Sequence, residues 1–87
     1  MTRTQILMEA CKIVNGDRNK QYGTPENNFA LIADLWSAYL GQEVTNIDVA
    51  MMMTMLKIAR IKTGRNKEDS FVDACGYIAC GGEIGTN

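Results

Sequence analysis

At 87 residues the chain has room for one domain, and so short a chain buries a smaller share of its surface than a typical domain does, so a thin core is expected. Nine basic and ten acidic side chains leave a net charge of -1, which excludes any general field for drawing in nucleic acid or an anionic membrane. Cys11, Cys75 and Cys80 are odd in number and stand in a chain without histidine; neither a CxxC pair nor a Cys/His metal pattern is available, and reduced thiols of a cytosol are the simplest reading.

The first helix is expected to start at Thr2, whose side chain caps free amides while Gln5 reaches back from three residues on, as in a capping box. Ile6, Leu7, Ala10, Cys11, Ile13 and Val14 follow at helical spacing as one apolar stripe. Asn15-Gly16, two residues that tolerate the left-handed conformation, end it. Residues 17–23 are polar and without apolar period, and this longest connection is the best candidate for a functional loop. Thr24-Pro25 reopens a helix, with threonine as cap and proline in the first turn, where its missing amide costs nothing. Phe29, Ile32, Ala33, Leu35, Trp36, Tyr39 and Leu40 are its expected buried side, and Gly41 its stop. Thr45 caps a third helix, with Asp48 placed to satisfy amides and to favour the positive end of the dipole. That run lasts to about Lys62, before Gly64, and a fourth helix begins between Asn66 and Asp69 and ends at about Ile78 or Cys80, where Gly81-Gly82 loosens it.

No strand-like alternation, repeat or low-complexity segment interrupts this plan, no charged leader precedes an apolar run, and no apolar stretch reaches the roughly 20 residues a bilayer demands. The expected fold class is all-α: a compact bundle of about four helices, one domain over residues 1–87, cytoplasmic, neither exported nor membrane-spanning. The third helix adds an expectation about assembly. Val49, Met51, Met52, Met53, Met55, Leu56, Ile58 and Ala59 cover nearly its whole circumference, leaving a narrow polar stripe of Thr54, Lys57 and Arg60. A helix apolar all round must be enclosed. Three short companions can hardly do that, so a homo-oligomer is expected, a dimer or tetramer with this helix near the symmetry axis; the alternative is a helix at the centre of a monomeric bundle.

Four charged residues carry the candidate chemistry. Asp69 and Asp73 lie four apart on the fourth helix, so both carboxylates project from one face, as a Mg²⁺ pair completed by water and substrate phosphates would require. The structural alternative makes Asp69 a helix cap and Asp73 a partly buried acid paired with a base. Lys57 and Arg60 share the polar stripe of the third helix and can face the aspartates across a hairpin, either as an ion-pair network or as cations that hold phosphate. Arg18, Tyr22 and Asn28 are the candidate substrate contacts: the loop supplies cations and an aromatic face beside a helix N-terminus, and Asn28 falls on or beside an apolar stripe. An ordinary solvated loop is the alternative there. Gly76, mid-helix, costs roughly 1 kcal/mol relative to alanine, which points to close packing.

Arg18-x-x-x-Tyr22-Gly23-x-Pro25-x-x-Asn28-Phe29, Leu35-Trp36-Ser37-x-Tyr39-Leu40-Gly41, Asp48-Val49-Ala50, Lys57-x-x-Arg60-x-x-x-Gly64 and Asp69-x-x-x-Asp73-x-x-Gly76-Tyr77 together resemble a family of small phage and prophage proteins of unassigned function. More distantly, the lysine-to-aspartate part and the helical plan look like the MazG-like all-α nucleoside triphosphate pyrophosphatases and phage nucleotide-modification-associated domains. That resemblance implies an oligomer, a nucleotide ligand and Mg²⁺ held by clustered helical acids. The chain departs from the pattern in having no E-E-x-x-E segment, its second helix offering only Glu26 and Asp34. The expected function is nucleotide or phosphate-ester binding. As a pyrophosphohydrolase-like enzyme it would hold Mg²⁺ with Asp69 and Asp73 and stabilise charge with Lys57 and Arg60, while a metal-activated water attacks phosphorus. The competing class is a non-catalytic phage accessory protein acting through protein contacts, its charges structural. A DNA-binding regulator is disfavoured by basic residues scattered along the chain.

Overall fold

The computed structural model describes residues 1–16, 23–64 and 67–87. Among these the fold is all-α, with four helices in chain order: α1 Arg3–Asn15, α2 Pro25–Leu40, α3 Asn46–Thr63 and α4 Lys67–Thr86. The starts follow local chemistry. Thr2 and Gln5 form the reciprocal capping box, the Gln5 amide donating to Thr2 Oγ1 over 3.1 Å and the Thr2 amide to Gln5 Oε1 over 2.8 Å. Thr45 and Asp48 repeat it on α3, at 3.1 and 3.0 Å. Thr24 Oγ1 accepts from the Asn27 amide, with Pro25 opening α2.

The stops differ from one another. Gly41 ends α2 at φ 65° and ψ 30°, the left-handed turn that glycine adopts at no steric cost. Gly16 ends α1 at φ -108°, so the left-handed stop expected there is corrected: glycine is favoured because a Cβ would lie 2.6 Å from the Lys12 carbonyl oxygen. The connection from α2 to α3 is tied by Ser37, whose hydroxyl accepts from the Val44 amide at 2.8 Å and donates to the Val44 carbonyl at 3.2 Å.

The centre of the packing is an α3–α4 hairpin. Its antiparallel register is set by Lys57 against Asp73, Ala50 against Gly81 and Ile47 against Gly85. α1 lies along α4, and α2 packs chiefly on α3. Phe29, Ala33, Val49, Ala50 and Cys80 are the buried cluster where α2 meets the hairpin, with Val14, Ile32, Trp36, Met53 and Tyr77 packed against it. The core is thin, as chain length requires.

Three further sequence expectations change. α4 does not loosen at Gly81-Gly82 but continues to Thr86, because Gly81 is buried against α3, where a Cβ would lie 2.6 Å from that of Ala50; the close approach offsets the helix cost of glycine. On α2, Leu35, Tyr39 and Leu40 are exposed, since the covered strip is that of Phe29, Ile32, Ala33 and Trp36. On α1, Leu7 and Cys11 are likewise exposed, beyond the strip that meets α4. No described helix is long and apolar enough to cross a membrane.

Candidate functional site

α3 carries its polar stripe inward. Thr54 is buried, its hydroxyl donating to the Ala50 carbonyl oxygen at 2.7 Å. One turn on, Lys57 Nζ lies 2.9 Å from Asp73 Oδ2 on α4, with the two side chains 13% and 26% exposed. The pairing expected across the hairpin is therefore formed, in a position screened only in part by solvent. Arg60, the third member of the stripe, is exposed. Asp69, one turn before Asp73, is exposed on the first turn of α4, where a carboxylate meets the positive end of the helix dipole.

Asp73 also borders a cavity of about 200 Å³ between α1, α2 and the hairpin. Ile13 and Val14 wall it from α1, Phe29 and Ile32 from α2, Met53 from α3 and Tyr77 from α4, with the Asn28 amide as a further polar group on the lining. The Phe29 and Tyr77 rings stack with centroids 6.2 Å apart and planes inclined by 29°. Gly76 lines the same cavity, and a Cβ there would stand 3.1 Å from Val14 Cγ1, so close packing of α1 on α4 accounts for this mid-helix glycine. The cavity opens to solvent, and a concave, largely apolar wall with a few polar groups is the general form of a small-molecule site.

Of the residues singled out in the sequence, Asn28 and Asp73 come together at this cavity, with Lys57 joined to it through Asp73. Asp69 and Arg60 remain at the surface. Arg18 and Tyr22 lie outside the described residues. Among the described residues no three Cys, Asp or Glu side chains gather as a metal site would require. Phe29, Met53 and Tyr77 carry no mark in sequence that separates a cavity wall from ordinary core; only Tyr77, beside a mid-helix glycine, offered a hint.

The family model described as "Domain of unknown function (DUF6378)" matches residues 5–85. The chain belongs to this family. Its DUF6378 match is accompanied by similarity to two phage proteins, each called "Gene 55 protein". That of Mycobacterium phage D29 is 49% identical over 75 residues, which is 86% of this chain and 50% of the relative; that of Mycobacterium phage L5 is 47% identical over 73 residues, 83% and 47% respectively. The chain thus spans about half the length of the curated relatives it matches. No solved structure matches it. The resemblance to a phage family of unassigned function, expected from the motifs between Arg18 and Tyr77, is borne out at that level.

Proposed function

We propose that this DUF6378 domain binds a nucleotide or a related phosphate ester in the cavity between α1, α2 and the hairpin. The observation that carries the reading is a cavity whose wall includes the stacked Phe29 and Tyr77 rings and whose lining brings Asn28 and the Lys57-paired Asp73 together. Aromatic and aliphatic walls suit the faces of a planar base, the Asn28 amide can pair with a base edge, and Lys57 and Arg60 supply cations for the phosphates. Arg18 and Tyr22, outside the described residues, are the remaining substrate contacts of this proposal. Asp69 and Asp73 are the pair that would hold Mg²⁺, which when bound neutralises charge on the phosphates. Two carboxylates, one already facing an ammonium at 2.9 Å, fit that ion only with water and phosphate oxygens completing its shell. Hydrolysis of a nucleoside triphosphate to a monophosphate and pyrophosphate, the MazG-like activity, is the enzymatic form of this proposal. A cytoplasmic homo-oligomer is its physiological form.

The alternative reading is an accessory protein that works through protein contacts, with Lys57 and Asp73 purely structural. The extent of exposed apolar side chain on α2, α3 and α4 favours it. The two are separated by thermal unfolding in the presence of nucleoside mono-, di- and triphosphates, each with and without Mg²⁺, on the wild type and on Asn28→Ala and Asp73→Asn. Binding to the folded state at a hundred times the dissociation constant adds about 2.7 kcal/mol of stability. A shift with one nucleotide class that Asn28→Ala diminishes supports the cavity, and loss of its Mg²⁺ dependence in Asp73→Asn supports the cation pair. A flat response across the panel sinks nucleotide binding and leaves the accessory reading.

A further inference from the structure

The self-association named above requires a surface, and the hairpin supplies one. In the register set by Lys57–Asp73, Ala50–Gly81 and Ile47–Gly85, the inner side of α3 faces α2 and α4 through Val49, Ala50, Met53 and Thr54. The helical period then sets Met51, Met55 and Ile58 on the outer side of α3, next to Phe71 and Ile78 of α4. These five are 37%, 57%, 48%, 45% and 46% exposed. They form one apolar surface across two packed helices, on the side away from α2, with Met51 Cε lying over Gly81 in the seam.

We infer that this outer face of the α3–α4 hairpin is the seat of a second copy of the chain, the two hairpins packing about a two-fold axis as a four-helix bundle. The inference rests on the self-association reading and assigns it a surface. Two properties of the whole molecule call for cover of some kind, and the charge pattern of the face selects this occupant. First, the chain exposes 6266 Å² at a mass of 9.6 kDa, whereas a compact monomer of that mass exposes on the order of 5,100 Å², and a standard interface takes about 800 Å² from each partner. Secondly, the radius of gyration is 13.4 Å, against about 12 Å for a closed domain of this length. Thirdly, the face is self-complementary in charge. Asp48 stands at the end where α3 begins, and Lys62 and Lys67 stand at the opposite end, where α3 finishes and α4 starts; all three are exposed. Glu68 and Asp69 follow Lys67 on the first turn of α4, Glu68 facing the N-terminal ammonium at 3.0 Å, so the lysines set the charge of that end on the hairpin face. A two-fold with antiparallel α3 helices brings each acidic end against the partner's basic end.

The exposed row of Leu31, Leu35 and Tyr39 on α2 does not share this property. α2 carries Glu26 and Asp34 and no cation, so two such rows would set like charges together.

The test is the mass in solution by sedimentation equilibrium over a wide concentration range, with helicity followed by circular dichroism, for the wild type, Ile58→Glu, Met55→Glu and Leu35→Glu. The expected result is a dimeric wild type, a dimer dissociation constant raised at least about a hundredfold by Ile58→Glu and by Met55→Glu, and an unaffected dimer in Leu35→Glu. Met55 is the most exposed of the five, so its variant reads the surface if Ile58→Glu loses helicity. A wild type monomeric at every concentration overturns self-association and this face together, and leaves the face to another segment, such as the second half of the longer relatives. A dimer that survives both glutamate substitutions on α3 keeps self-association and overturns the face alone.

Discussion

Lys57 and Asp73 are the residues on which structure and chemistry meet. An ion pair as little exposed as this one contributes less than its Coulomb attraction suggests, because both charges have lost part of their hydration. Removing one partner is a different matter, since the other keeps its desolvation and loses its compensation. Lys57→Met is therefore expected to destabilise the fold by about 1–3 kcal/mol, read as a lower urea midpoint at unchanged slope. The double variant Lys57→Met, Asp73→Leu should recover a large part of that loss. A Lys57→Met chain as stable as wild type would show the pair to be solvated in solution. Sequence allowed this pairing, since helical spacing can set Lys57 opposite Asp73, but left it open against a role for the lysine in holding phosphate. Arg60, three residues from Lys57 on the same stripe, does not turn inward with it.

At the scale of the helices, the threonine start signals and the Gly41 stop translated directly into structure, whereas the Gly81-Gly82 stop did not. Thr2, Thr24 and Thr45 act through hydrogen bonds to amides three residues away, so nothing beyond the helix itself is needed. Thr45→Ala is expected to cost about 1 kcal/mol, measurable in thermal unfolding. The glycines of α4 behave otherwise, because their neighbours come from another helix. A Cβ added at Gly82 would meet nothing within 4 Å, while one added at Gly81 would lie 2.6 Å from that of Ala50. Gly82→Ala should thus stabilise by about 0.5–1 kcal/mol through helix propensity. Gly81→Ala should destabilise by about 1–3 kcal/mol through overpacking, despite adding the same methyl group one residue away. Equal effects from the two substitutions would refute close packing of α4 on α3 at this point.

At the scale of the whole molecule the balance of core and surface dominates. Exposed Met51, Met55, Ile58, Phe71 and Ile78 accompany a core whose buried side chains are mostly small. If the hairpin face binds a second copy, folding and association are linked, and the melting temperature must rise with protein concentration. In Ile58→Glu that dependence should move to protein concentrations at least about a hundredfold higher. The same linkage gives ligand binding its own signature, a shift that grows with the logarithm of nucleotide concentration at fixed protein concentration. About half of each curated relative lies beyond the matched region, so the longer proteins have additional chain available to cover apolar surface.

Local chemistry was enough to determine the four described helices and the threonine caps of the first three, because each depends on contacts within a few residues or on a regular helical period; the motifs along the chain marked the phage family. Which side of each helix is buried was decided only in three dimensions. α3 is apolar around most of its circumference, and its period alone does not say that Thr54 and Lys57 face inward while Met55 faces out. The cavity arises the same way, from residues far apart in the chain whose apolar character is equally that of a packed core. What turned α3 is the close approach of α4 at Gly81 and Gly85, a contact between helices that glycine permits and that no spacing within one helix records.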